Sequence, residues 1–204
     1  KWHQDLIEID ILNKSTLEKN NETMLRAFSL LDEHFEYSKK ENIEFIRDNM
    51  ALPFTHHSRL GFVYFAQLNN LLRKDVITEA QKNSLLLSVK SISTKMKSDA
   101  YQVKLGKKSL SSFLDIYGHI RAGNYNLSSS NLKNNLEFTE LLVHNSEPQD
   151  ENISLQKVIF SNIDKYFELN NIPYTASAWV EMFQTAIATR ENSKFYYTKG
   201  IDGI

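Results

Sequence analysis

The chain is 204 residues long, enough for one sizeable core or for two small lobes. With 41% apolar and 24% charged residues and a formal net charge of −1, it has an ordinary globular composition and no electrostatic footprint for nucleic acid or an anionic membrane. It holds no cysteine, which excludes disulfides, thiolate nucleophiles and thiolate metal sites and fits a reducing, cytoplasmic setting.

Three prolines and six glycines predict few turns and long helices. A first helix is expected from Trp2 to about Leu12, with Trp2, Leu6 and Ile9 on one face, and Ser15-Thr16-Leu17-Glu18 has the form of a capping box. From Glu22 onward Leu25, Phe28, Leu31 and Phe35 repeat at helical spacing. Ile43, Ile46 and Met50 carry an apolar pattern to Pro53, which is expected to end that segment. The next helix should run from Phe54 to Lys74, striped by Leu60, Tyr64, Leu68 and Leu71, with Phe62, Tyr64 and Phe65 as core aromatics. His56 and His57 sit near its start. Neighbours on a helix diverge by about 100°, so the two rings do not share an ion, and no carboxylate accompanies them at zinc spacing.

Thr78-Glu79-Ala80-Gln81 is a second capping box. It is expected to open one long helix through Leu85, Val89, Ile92 and Met96 to about Leu105, with Lys104, Lys107 and Lys108 as a solvated end. A short amphipathic helix, Ser109 to Tyr117, follows Gly106, and then a glycine segment and the polar run Ser128 to Asn131. Residues 144–150 read as a linker, before helices from Ser154 to Leu169 and from Thr175 to about Tyr197. The longest apolar runs, such as Ser84 to Val89, are too short to span a bilayer, and no repeat appears at solenoid periods. These features predict an all-α protein, a bundle of about seven or eight helices in one body or in two lobes. The expected division is 1–143, a linker at 144–150, and a C-terminal helical pair at 151–204. The chain starts at Lys1 and stops at Ile204, where Ile201 and Ile204 open a further stripe, so the ends read as boundaries within a longer polypeptide.

Two of the six glycines, Gly118 and Gly123, bracket His119 and Arg121 in the segment Tyr117 to Tyr125. Glycine between helices marks a place where the backbone turns or is closely approached. An arginine there can fork onto phosphate or carboxylate oxygens, or it can pair with a neighbouring acid or cap a helix end. His119 can donate to an anion or hydrogen-bond a backbone carbonyl. Arg190 and Lys194, four residues apart, continue the line of Trp179, Phe183 and Ile187; they either meet an anion or snorkel to water.

The stretch from Phe113 to Asn126, with Tyr-Gly-His-Ile-Arg-Ala-Gly-Asn-Tyr at its heart, resembles a motif of the phosphoenolpyruvate-utilising enzymes. That family includes phosphoenolpyruvate synthase, pyruvate phosphate dikinase and rifampin phosphotransferase. Arg190-Glu191-Asn192-Ser193-Lys194-Phe195 resembles an Arg-Glu-x-x-Lys-Phe element of the same region. Arg59-Leu60-Gly61-Phe62 and Ser88-Val89-Lys90-Ser91-Ile92 resemble two further helical stretches. In this order they cover about two thirds of the chain. The resemblance implies transfer of phosphate from ATP, at a nucleotide-grasp domain with Mg²⁺, onto a histidine of a swivelling domain and then to an acceptor. This chain has neither a glycine-rich phosphate loop nor a histidine flanked by small residues. It therefore resembles the helical middle region, with no catalytic residue, metal or cofactor of its own.

Under that resemblance Arg59, His119, Arg121, Arg190 and Lys194 converge on a small anionic acceptor, and Gly118, Gly123, Tyr125 and Asn126 shape the turn. The partners implied are the nucleotide-grasp and swivelling domains of the same polypeptide, with no nucleic acid and no membrane. Ala122 stands where the family carries proline, Asn126 where it carries aspartate, and Ser130-Asn131 where Pro-Arg is frequent. The alternatives are a non-catalytic α-helical interaction module, whose glycine turn is a structural corner, and a degenerate, inactive family member.

Overall fold

The structure, a computed structural model, describes residues 18–30, 39–121, 128–148 and 155–203. The expected helix at Trp2 to Leu12 and the capping box at Ser15 lie outside them. The described residues are all-α, without a strand; their one β-type contact is a bridge between Arg121 and Asn131.

Helix α1 spans 18–29. It buries Met24 and Ala27 and packs Phe28 of the expected line against Tyr196, whereas Leu25 is exposed. Helix α2 (Lys39–Ile46) passes through a π-turn (Arg47–Ala51) directly into α3 (Leu52–Arg73). Pro53 does not end the segment. A proline inside an α-helix clashes with the carbonyl four residues earlier. The wider π-turn, in which the Leu52 amide bonds back to the Arg47 carbonyl, brings Pro53 in at the first turn of a new α-helix, where its missing N–H costs little.

The long helix expected from Thr78 is two helices, α4 (Glu79–Leu87) and α5 (Ile92–Lys104). The Thr78–Gln81 capping box is present, with reciprocal bonds of 2.8 and 3.2 Å. The break falls where local and distant side chains offer the backbone other partners. The Ser91 amide donates to Thr94 Oγ1 at 2.9 Å, and the Ile92 amide donates to Asn192 Oδ1 at 2.9 Å. Helix α5 ends in a left-handed Gly106, with φ of 70°. Lys104 and Lys107 are exposed, as expected of a solvated end, with Lys104 donating to the Ser146 carbonyl at 2.8 Å; Lys108 departs from the expectation and lies half-buried, 2.9 Å from the Asp99 carboxylate.

Helix α6 (Leu110–Tyr117), a 3₁₀ turn (Leu132–Asn134) and α7 (Leu136–His144) follow. The last two have no counterpart among the expected helices. Asn131 and Asn135 cap them in succession, accepting from the amides of Asn134 and Phe138. Helices α8 (Lys157–Leu169) and α9 (Ala176–Asp202, capped by Thr175) complete the chain.

Helix α9 is the axis of the molecule and runs antiparallel to α3. Met50 lies against Gly200, Phe54 stacks on Tyr197, His57 bonds Ser193, Gly61 lies under Arg190, and Trp179 Nε1 donates to Gln67. Numbers rise along one helix as they fall along the other. A Cβ on Gly61 would stand 2.7 Å from Arg190 Cδ, and one on Gly200 2.9 Å from Met50 Sδ. The two glycines let the helices approach closely. Tyr64 is core, but Phe62 and Phe65, expected there too, are 60% and 41% exposed.

One core cluster joins Leu60, Tyr64 and Leu68 of α3 to Ile159, Ile163 and Phe183 of α8 and α9. A second gathers Met24, Ala27, Ile46 and Met50 beside Tyr197. A third gathers Ala100, Phe113, Tyr117 and Leu132 on Phe195. Residues on both sides of 144–150 thus share a core, and α9 contributes to every cluster named here.

Candidate functional site

The third cluster opens on a cleft of about 190 Å³ between α5, the end of α6 and α9. Its floor is apolar: Ile92, Met96, Tyr117, Ile120 and Phe195. Lys97, Arg121, Glu191 and Lys194 line its rim, and the buried Thr198 lines the cleft deeper in.

The floor is fixed by the helix ends around it. Tyr117 closes α6, is fully buried, and donates its hydroxyl to Asp99 Oδ2 at 2.8 Å. Burial, then the bond to Asp99, raises the phenol's pKa, so Tyr117 stays protonated. Burial pushes the Asp99 carboxyl up, but hydrogen bonds from Lys108, Tyr117 and Lys95 outweigh it and hold the group below its ordinary value. Gly118 follows with a helical φ of −58°, so the glycine is needed for space and not for a left-handed turn. A Cβ there would lie 2.3 Å from the Leu114 carbonyl oxygen and 3.2 Å from Lys133 Cβ. The Gly118 and Ile120 carbonyls accept from the amides of Lys133 and Leu132, which draws the 3₁₀ turn onto the corner.

His119 turns inward. It is 9% exposed, its Nε2 donates to the Phe195 carbonyl at 3.2 Å, and its ring meets the Phe195 ring edge-on at 4.6 Å between centroids. Burial lowers its pKa to about 4 against the opposing pull of the Phe195 carbonyl and Asp202, so the imidazole is neutral near pH 7. Arg121 reaches the cleft rim with its guanidinium engaged: one nitrogen donates to Asp202 and another to the Ser129 carbonyl. Asn131 Nδ2 reaches the same carboxylate, at 3.1 and 3.3 Å from its two oxygens.

Of the expected site residues, Arg121 and Lys194 share the cleft, and His119 supports it from behind Phe195. Arg190 lies on the flank of α9 that faces α3, over the Phe62 ring at 5.0 Å, bonded to Glu191. Arg59 is exposed on α3 and does not line the cleft. Gly123, Tyr125 and Asn126 fall outside the described residues.

Sequence reasoning missed Lys97, Asp202, the anchoring role of Asn131 and the polar link at His57. His57 is buried, with its Nδ1 on Ser193 Oγ. Ser193 uses its own proton on the Thr189 carbonyl, at 2.6 Å, so His57 is the donor of the pair. The spacing Asn131-x-x-Asn134 ahead of an apolar run was a readable cap signal. Nothing local marks Lys97 or Asp202. Glu191 accepts from Ser93 of α5 at 3.1 Å and from Arg190 of its own helix at 3.0 Å.

Among the described residues, no cluster of three or more histidine, aspartate or glutamate side chains is placed to hold a metal ion, and no helix is long and apolar enough to cross a membrane. No family model, curated protein or solved structure matches the chain.

Proposed function

We propose that this chain is the helical acceptor-binding or interdomain module of a cytoplasmic phosphoenolpyruvate-synthase-like phosphotransferase. A swivelling domain, phosphorylated on histidine from ATP and Mg²⁺ at a nucleotide-grasp domain, would dock at the cleft and deliver phosphate to a small anionic acceptor. The module itself positions the acceptor and supplies no catalytic residue.

One observation carries the reading. The two stretches that best resemble the family, Tyr117 to Arg121 and Arg190 to Phe195, meet in space although they lie far apart in sequence: Tyr117 packs against Phe195 at 6.0 Å, His119 bonds the Phe195 carbonyl, and Arg121 and Lys194 rim one cleft. Cations held by rigid elements beside an open cleft are what a transferring phosphoryl group requires.

The test uses the full-length polypeptide. With ATP and Mg²⁺ it should form phosphohistidine, and Lys194→Ala should leave that step intact while lowering acceptor phosphorylation at least tenfold. Absence of any phosphohistidine would overturn the reading.

A second reading is a non-catalytic interaction module. It is favoured by Arg121 itself, whose pairing with Asp202 and Ser129 makes it a strut across the corner. The degenerate-member reading has a similar basis in Asn131, which replaces a cation with an amide bonded to Asp202. Under either, Lys194→Ala leaves phosphorylation unchanged.

A further inference from the structure

The cations around the cleft are unequal. Arg121 is paired with Asp202, and Glu191 with Arg190 and Ser93, so these charges are balanced within the fold. Lys97 and Lys194 form no ion pair among the described residues. The remaining polar atoms of the lining are similarly engaged: Tyr117 on Asp99, Thr198 on the Phe195 carbonyl, Ser93 on Glu191. The lining of the cleft therefore holds two lysine side chains outside any ion pair, beside a floor of Ile92, Met96, Tyr117, Ile120 and Phe195. The polar ends of Tyr117 and Thr198 do not compete for a ligand there.

Size sets a further limit. A cavity of roughly 150 Å³ accepts a benzene ring. At about 190 Å³, open at the rim, the cleft has room for one ring and a head group projecting to the lysines. A bare phosphate or pyruvate would leave the apolar floor in contact with water.

We infer that the cleft takes an amphipathic anion, a single aromatic or branched apolar body bearing one oxyanion head directed to Lys97 and Lys194. This rests on the acceptor-binding reading and narrows its acceptor class. It also moves the anion contact from Arg121, whose charge is already balanced, to Lys97.

Phenyl phosphate, inorganic phosphate and benzyl alcohol are the probes, titrated into the protein by calorimetry and by the Met96 methyl resonance. Phenyl phosphate should saturate with a Kd about tenfold or more below that of inorganic phosphate, since burial of one ring contributes at least that factor. Benzyl alcohol should bind more weakly than phenyl phosphate by a similar factor. The double variant Lys97→Ala/Lys194→Ala, in partly or fully exposed side chains that the fold does not need, should lose the phenyl phosphate advantage over benzyl alcohol with unchanged circular dichroism. Met96→Gln should weaken phenyl phosphate and leave inorganic phosphate as it was. If inorganic phosphate binds as tightly as phenyl phosphate, the apolar-body inference is wrong and the anionic-acceptor reading stands. If phenyl phosphate binds equally well to the double lysine variant, the inference is also wrong. If no anion saturates the cleft, both the inference and the acceptor-binding reading fall.

Discussion

Arg121 and Asp202 are 81 residues apart in sequence and joined by a charge-assisted hydrogen bond. The bond ties the start of the glycine segment to the last turn of α9, and Asn131 adds a second donor to the same carboxylate. Their side chains are only 14% and 23% exposed, so the pair is shielded and its loss is felt in full. Asp202→Ala leaves a mostly buried guanidinium without its counter-charge and should destabilise the fold by about 2–3 kcal/mol, read as a lower urea midpoint. Arg121→Ala should then cost less in that background than in the parent, because the shared interaction is already lost and the bond to the Ser129 carbonyl is what remains to lose. Additive losses in that double-mutant cycle would show that the two side chains do not act as a pair.

The neutral, buried His119 makes stability depend on pH. Its folded pKa is about 4, below the ordinary value of 6.5, so between those values the unfolded chain binds more protons than the folded one. The histidine's contribution is complete above pH 6.5 and is lost as pH falls toward 4. The loss approaches about 3 kcal/mol, because each tenfold weakening of proton binding on folding corresponds to about 1.36 kcal/mol. Asp202 and Lys199, the charged groups that face the ring, act in opposite senses and leave burial as the dominant cause. His119→Gln keeps a donor for the Phe195 carbonyl and does not titrate. Its urea midpoint should fall less steeply than the parent's from pH 6.5 to 4, and parallel slopes would rule out the histidine as the source.

How much of this was legible depended on the distance of the partner that decides each feature. At the helix starts, the hydroxyls of Thr78, Ser109 and Thr175 accept from the amides three residues on, so sequence alone places them. The break at Ser88 to Ser91 was not legible. The apolar period from Leu85 through Val89, Ile92 and Met96 runs across it, while one of the groups that opens it, Asn192, lies 100 residues away. Pro53 misled for a related reason, since the π-turn that accommodates it has no sequence signature. At the site, the sequence offered Arg121 with an anion or an acid as its partner, and only packing could supply Asp202. The lysine that shares the cleft rim with Lys194, Lys97, is one of several lysines on α5, and which of them faces the floor depends on how α5 is seated on α9.

The His57–Ser193 contact crosses the α3–α9 interface in the interior. Ser193→Ala removes the acceptor of the buried imidazole N–H and should cost about 1–3 kcal/mol, the range for a buried donor stripped of its partner. Hydrogen exchange should report the loss as faster opening of amides at the centre of α3 and α9, with the caps at Thr78 and Ser109 unaffected. An unchanged urea midpoint would mean that the interface tolerates the imidazole without this bond.

Gly118 tests whether the corner under the cleft is crowded or merely turned. Its backbone is helical, so alanine is conformationally acceptable there, and any cost must come from the Leu114 carbonyl and Lys133 Cβ that a new methyl would meet. Gly118→Ala should therefore destabilise by about 1–3 kcal/mol, the range for forcing extra volume into a packed site. It should also weaken the hydrogen bonds from Lys133 and Leu132 to the Gly118 and Ile120 carbonyls, seen as faster exchange of those two amides. Gly106→Ala provides the contrast: no atom lies within 4 Å of a Cβ there, but the backbone is left-handed, so its cost is conformational strain. Methyl insertion at Gly118 should disturb the cleft floor at Tyr117 and Ile120, whereas the same change at Gly106 should leave the floor resonances in place. If both variants lose similar stability with no change at Tyr117 or Ile120, then close packing does not explain the glycine at 118.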